Sequence, residues 1–308
     1  CVKKIFAMKK SIIIQFIKII IILLSFWFIG EKLWTHQNWL GTVILNKELI
    51  LIIIICSIIY GLSEFLLSFA WKRLLILFGH KDISLKLCNS IYGKSQIAKY
   101  IPGNVFHVIG RHILGSQAGV KHIVLTGAAI YEILGLLLIS LIISCSGIFL
   151  FGLGNIYLSS YQITLSMLTI ITTTIFGTFI AQYLMRLRGI VLPNQGTWKS
   201  IRNIYSTYLL YLIFFLIAGF LLVLIVNIFF DINFLITANI ITIFSMAWFA
   251  GFIIPGAPGG IGVREAIIIL FLTPIIGEAE SVAAAVSLRF VTLLGDVWFF
   301  TVSDKKFI

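Results

Sequence analysis

Two arginines sit at matched positions in apolar sequence. Arg111 lies nine residues after the proline of Ile101-Pro102-Gly103, and Arg264 lies nine residues after the proline of Ile254-Pro255-Gly256. A charge near the bilayer centre costs about 2.5–3.5 kcal/mol on insertion scales, so each arginine calls for an anion facing it. Guanidinium binds carboxylate or phosphate in bidentate fashion, and a helix that starts after a glycine-rich break adds aligned N–H donors for the same anion. Two readings stand at this point, recognition of a phosphate and pairing with a carboxylate of the chain itself. Lys99, three residues before Pro102, is close enough to the break to join an anion site, and snorkelling to the headgroups is its ordinary alternative.

The carboxylates available for internal pairing are Glu64, Glu132, Glu265 and Asp296. Arg289 and Asp296 are seven residues apart, two helical turns on one face, which suits a charge relay inside a bundle. Glu64 and Glu132 are candidate proton carriers, with helix-end pairing to a basic residue as the alternative. His107 and His112 flank Arg111 and can titrate or simply pack. Other chemistries find no support. Gly93-Lys94-Ser95 has Cys88 where a phosphate-binding loop needs its leading glycine, and no strand precedes it. The cysteines Cys1, Cys56, Cys88 and Cys145 have no metal-ligand spacing, so neither a metal nor any other cofactor is expected. No nucleophile with an adjacent base occurs in a polar segment.

Composition dictates the solvent in which these residues must work. Of 308 residues, 60% are hydrophobic and 11% are charged, and the mean hydropathy is +1.10, which no mixed charged surface of a soluble domain allows. The sequence describes one integral membrane domain over 1–308, all α-helical and polytopic. Apolar runs at 12–30, 49–71, 123–151, 163–184, 204–228, 235–254 and 281–302 reach or approach the roughly 20 residues that a crossing needs. The net charge of +12 sits at helix ends and in short loops, the pattern of membrane orientation and not of nucleic-acid binding. Trp71 and Trp248, with most other tryptophans, fall near the ends of expected spans, where an aromatic belt explains them.

Lys3, Lys4, Lys9 and Lys10 place the N-terminus in the cytoplasm, and the basic stretch from Lys72 to Lys99 with Lys121 places both ends of 84–120 there too. That segment then reads as a re-entrant hairpin broken at Pro102-Gly103. The segment 235–277, broken at Pro255-Gly256 and again at Pro258-Gly259-Gly260, reads as a second hairpin entered from outside. Six full crossings and two hairpins put Lys305 and Lys306 inside and arrange the hairpins as an inverted repeat, the architecture in which broken helices meet around a substrate.

The fuller motifs carry a resemblance. Lys99-Tyr100-Ile101-Pro102-Gly103-Asn104-Val105-Phe106-His107-Val108-Ile109-Gly110-Arg111 and Pro255-Gly256-Ala257-Pro258-Gly259-Gly260-Ile261-Gly262-Val263-Arg264-Glu265 are similar to the two signature segments of the lysylphosphatidylglycerol synthase transmembrane family, the flippase-like membrane proteins. Members resemble the flippase half of the bacterial multiple peptide resistance factor. No soluble aminoacyl-transferase domain follows before Ile308, so the resemblance implies translocation of lipid and not its lysylation. The expectation is a flippase of the bacterial cytoplasmic membrane that moves an anionic phospholipid or a polyprenyl-phosphate-linked glycolipid, with Arg111, Arg264 and Lys99 receiving the phosphate. Two rivals remain, an embedded transferase or accessory subunit of lipid modification, and a secondary transporter of a small anion. Besides membrane lipid, the partner implied is a separate glycosyl or aminoacyl transferase; no residue pattern sets an oligomeric state.

Overall fold

The computed structural model describes residues 27–28, 30–37, 46–80, 82–100, 106–152, 197–254 and 258–303. Among them every regular element is helical. In chain order these are α1 (Lys47–Leu77), α2 (Leu85–Ile97), a 3-10 turn (Ala98–Tyr100), α3 (Phe106–Gln117), α4 (His122–Phe151), α5 (Thr197–Val226), α6 (Phe234–Ile253), a second 3-10 turn (Pro258–Gly260), α7 (Val263–Ile276) and α8 (Glu278–Ser303).

Local chemistry marks the boundaries. The side chains of Asn46, Ser84 and Asn233 accept from the free N–H groups of the first turns of α1, α2 and α6, at 2.9, 3.1 and 2.9 Å. Gly79, with φ of 100°, closes α1 by letting the His80 N–H reach Leu75 O at 2.9 Å, and Gly119 closes α3 in the same way, through Val120 N–H to Gly115 O at 3.1 Å. At the start of α7 the Glu265 carboxylate reaches back to the Gly262 N–H at 2.7 Å, so one acidic side chain satisfies a helix-start donor.

Among the described residues five helices are long and apolar enough to cross a membrane: α1, α4, the Arg202–Val226 part of α5, α6 and α8. The distribution of side chains is that of a protein solvated by lipid. Beyond the first turn of α1 the exposed residues are Leu51, Ile54, Ile55, Ile58, Leu62 and Phe69, while Ser57, Ser63, Glu64 and Ser68 are buried. In α8, Phe290, Leu293, Leu294 and Val297 face outward, and Ser287, Thr292 and Asp296 face inward. Water would drive the opposite arrangement; hydrocarbon favours apolar groups outside and polar groups satisfied within. The chain is therefore an α-helical polytopic membrane protein.

Small residues let the helices meet. A methyl group added to Gly61 of α1 would stand 2.8 Å from Gly295 O of α8 and 2.5 Å from the Trp298 ring, so these two glycines fix a close crossing. Around this pair α1 also packs on α2, α4 and α5, and α6 bridges α4, α5 and α7.

The expected hairpin over 84–120 corresponds to α2 and α3, which pack on each other. With 13 and 12 residues they extend about 20 and 18 Å at 1.5 Å per residue, short of the roughly 30 Å hydrocarbon core. The second broken element is less even. Its first arm, α6, has 20 residues and meets the length of a full crossing, whereas α7 has 14. Pro102, Gly103, Pro255 and Gly256 lie outside the described residues, as do the expected span 163–184, nearly all of 12–30, the terminal lysines and Cys1.

Candidate functional site

The two 3-10 turns face each other inside the bundle. Gly259 of the second 3-10 turn, with φ of 57°, is so close to the first turn that an added methyl group would stand 3.4 Å from Lys99 O. Beside this junction lies an open cavity of about 550 Å³. Tyr60 and Glu64 of α1, Tyr92 and Gln96 of α2, Arg111 and His107 of α3, Glu132 of α4, Trp248 of α6 and Arg264 of α7 line it, together with Lys99 and the apolar side chains of Leu67, Leu136, Phe214 and Phe252. Six helices thus deliver polar groups to one place in a protein whose outside is hydrocarbon-like, which is how irregular backbone and charge are tolerated at membrane depth.

Arg111 has its anion within the chain. Its Nη1 is ion-paired with Glu132 Oε1, its Nε donates to Ser95 Oγ at 3.2 Å, and its guanidinium lies 3.6 Å from the centre of the Tyr92 ring. Tyr92 donates its hydroxyl to the same Glu132 oxygen at 2.8 Å. Both members of the pair are buried, so each is the condition for the other's charge.

Lys99 is engaged in the same way. Its Nζ stands 2.8 and 2.7 Å from the two oxygens of Asp296, a residue with no exposed surface, and Tyr100 donates its hydroxyl to Asp296 as well. Of the two readings left open by the sequence, internal pairing therefore describes Arg111 and Lys99. Arg289 and Asp296 do share the inner face of α8, but they serve different partners. Arg289 Nη1 donates to Gly259 O at 3.3 Å and its Nε is 3.6 Å from Glu265 Oε1, so it ties α8 to the second break, while Asp296 ties α8 to the first.

Arg264 is different. Among the described residues it forms no ion pair with a carboxylate, and its Nε is buried without a hydrogen-bond partner. Gly251 and Gly260 leave the slot it occupies: a methyl group on either would come within 2.6 and 2.5 Å of its side chain. Trp248 flanks it, with the guanidinium carbon 5.4 Å from the ring centre. Next to it Arg289 Nη2 is also buried without a partner, and both arginines line a second hollow of about 320 Å³ between α6, α7 and α8. A matching remainder exists on the acidic side. Glu64 accepts from Gln96 Nε2 at 2.6 Å through one oxygen, and its other oxygen is buried with no partner.

Of the histidines, His107 lines the cavity with a buried, unpartnered Nδ1, whereas His112 turns toward His122, ring nitrogens 2.9 Å apart. Several residues gain importance that the sequence did not announce. Trp71 and Trp248 are buried, not part of an interfacial belt; each stands over a guanidinium, Trp71 over Arg111 at 5.9 Å and Trp248 over Arg264. Tyr92, Gln96 and Tyr100 supply the hydrogen bonds that hold Glu132, Glu64 and Asp296. A buried carboxylate in an apolar run is the one signal that partners of this kind must exist, because its charge cannot stand alone there.

Among the described residues no group of three or more histidine, cysteine, aspartate and glutamate side chains is arranged to hold a metal ion. No protein-family model matches the chain, and no curated protein matches it significantly.

Proposed function

We propose that this chain is a lipid translocase of the bacterial cytoplasmic membrane, in which Arg264 receives the phosphate of an anionic phospholipid or polyprenyl-phosphate-linked glycolipid. One observation carries the reading: Arg264, lacking a carboxylate partner among the described residues, lies in a cavity at the junction of two broken helical elements inside a membrane bundle. The other three cations of this region, buried Arg111 and half-buried Lys99 and Arg289, each have a carboxylate. Placing a guanidinium there without an internal anion is costly, and a bound phosphate offsets that cost with bidentate hydrogen bonds. Arg289, whose Nη2 is likewise unpartnered, is the second donor for the same group.

The cavity walls suit a lipid better than a wholly soluble ion. Leu67, Leu136, Phe214 and Phe252 line it alongside the charges, so a headgroup can enter while its chains remain against apolar surface. In this reading α2 and α3 form a re-entrant hairpin from the cytoplasmic side, 235–277 forms its inverted counterpart, and both termini are cytoplasmic. The similarity of the two Pro-Gly-Arg segments to flippase-like membrane proteins supports the same direction. A separate glycosyl or aminoacyl transferase would make the lipid that this chain moves.

The test is leaflet access in liposomes containing only this protein. Acyl-labelled phosphatidylglycerol and a labelled polyprenyl phosphate should become accessible to an outside quencher faster than in protein-free liposomes. Uptake of inorganic phosphate with no lipid movement would replace the proposal by small-anion transport. A new lipid product formed from a supplied glycosyl or aminoacyl donor would replace it by transferase chemistry.

A further inference from the structure

Glu64 has a role that binding a phosphate does not require. Its side chain has no exposed surface, it sits midway along the crossing helix α1, and it opens onto the same cavity as Arg264. The three other carboxylates of the region are each matched to a cation, Glu132 to Arg111, Asp296 to Lys99 and Glu265 to Arg289. Glu64 is matched only to the neutral amide of Gln96, and its Oε1 is buried without a partner. A buried carboxylate with no cation and a vacant oxygen is stabilised by taking up a proton.

The surrounding groups do not remove that need. Tyr60 stands on the same helix, Tyr92 on α2, Lys99 on the first break, Arg111 and His107 on α3, Glu132 on α4, Arg264 on α7 and Asp296 on α8. Of the cations on this cavity, Lys99 and Arg111 are already neutralised by Asp296 and Glu132, so each presents a pair and not a net charge to Glu64, and Arg264 is the one whose charge a bound phosphate takes up. On α5 and α6 the cavity is closed by Phe214, Trp248 and Phe252, none of which titrates in this range.

We infer that Glu64 is a proton-binding site and that the lipid step carries a proton on it. Water in the cavity delivers the proton to Oε1 on one side of the membrane, and the same O–H bond releases it to water on the other, so the carboxyl group is regenerated in each cycle. Arrival of an anionic phosphate at Arg264 adds a negative charge to a cavity that already holds Glu64, which favours the protonated form; departure favours release. This inference rests on the lipid reading for its second half only.

Two measurements on the full-length purified chain decide it. Infrared difference spectra of native protein at neutral pH should contain a buried carboxylic acid C=O band that disappears in Glu64→Gln and persists in Gln96→Leu with a shifted frequency. A spectrum in which native and Glu64→Gln coincide overturns proton binding at Glu64. In liposomes containing acyl-labelled phosphatidylglycerol, an imposed gradient of about one pH unit should shift the steady-state leaflet ratio of the native chain by up to about tenfold for one proton per lipid, since a unit of pH is a factor of ten in equilibrium. In Glu64→Gln the ratio should not respond. If native protein moves lipid with a ratio indifferent to the gradient, proton coupling fails while translocation stands. If no lipid moves but the band is present, translocation of that lipid fails while the proton site stands.

Discussion

Arg111→Ala and Arg264→Ala should differ sharply in a stability assay, although the two residues occupy equivalent positions after their Pro-Gly breaks. Removing the Arg111 side chain leaves Glu132 buried in a low-dielectric interior with, among the described residues, only the Tyr92 hydroxyl, at 2.8 Å, to support its charge. Breaking a buried pair from one side costs about 3–5 kcal/mol. Loss of the stack on Tyr92, at 3.6 Å, acts in the same direction. Truncation of Arg264 strands no carboxylate among the described residues, and it relieves the burial of an unpartnered Nε. What is lost is chiefly the contact with Trp248, worth about 0.5–1 kcal/mol at ordinary geometry, so the net change should be within about 1 kcal/mol and of either sign. Reversible unfolding in mixed micelles, followed by tryptophan fluorescence, measures both. A double-mutant cycle of Arg111→Ala with Glu132→Gln should show strong coupling, the second change costing far less once the first is made. Equal destabilisation by the two arginine variants, or additive effects of Arg111→Ala and Glu132→Gln, would refute the assignment of one arginine to structure and the other to ligand.

Further perturbations probe the rest of the arrangement. Lys99→Met strands the fully buried Asp296 and should cost about 3–5 kcal/mol, whereas Asp296→Asn made together with it should recover much of that loss in the same unfolding assay. Gly61→Ala forces a methyl group to within 2.8 Å of Gly295 O and should lower stability by about 1–3 kcal/mol, with Gly295→Ala behaving alike. Gly260→Ala combines a φ of 74° with a 2.5 Å approach to Arg264 Nε, so it should disturb ligand binding at Arg264 even in protein that still folds, as read by lipid translocation. Burial and the neighbouring His122 hold the His112 imidazole below its ordinary range. Its neutral form is then the one that the fold favours, and the associated stability is complete above the ordinary imidazole pKa and lost as pH falls from there through the lower folded-state value. The melting temperature of native protein should therefore drop on acidification from about pH 8 to 5, and His112→Gln should flatten that dependence.

How much of this was legible in the sequence depends on the distance over which the information acts. The described crossings α1, α4, α5 and α8 were, because hydrophobic runs the length of a bilayer act locally, and so was the interruption of helix beside Pro258-Gly259-Gly260, because glycine and proline act within a few residues. The equivalence of Arg111 and Arg264 was legible but incomplete. Their spacing after proline is the same, yet Glu132 stands opposite Arg111 from a helix 21 residues away, and no described carboxylate pairs with Arg264. Lys99 shows the same limit, since its partner Asp296 is 197 residues along the chain. Pairing of this kind depends on which helices become neighbours, which hydropathy does not encode. The tryptophans misled for a related reason. Trp71 and Trp248 fall near span ends, where an interfacial belt is the usual explanation, but in the fold each is itself buried and packs beside a guanidinium. The length of α6 illustrates a third limit: a run of 20 apolar residues serves equally as a full crossing or as one arm of a broken element, and periodicity does not separate the two.

The proposal that Arg264 holds the phosphate of a translocated lipid is decided by the translocation rate of labelled anionic lipid in liposomes containing native protein, Arg264→Ala or Arg264→Lys. Loss of charge-assisted hydrogen bonds worth about 1.5–3 kcal/mol predicts a fall of roughly tenfold to a hundredfold in Arg264→Ala and a partial recovery in Arg264→Lys, with folding intact in both. A rate in folded Arg264→Ala equal to that of the native chain would contradict the account.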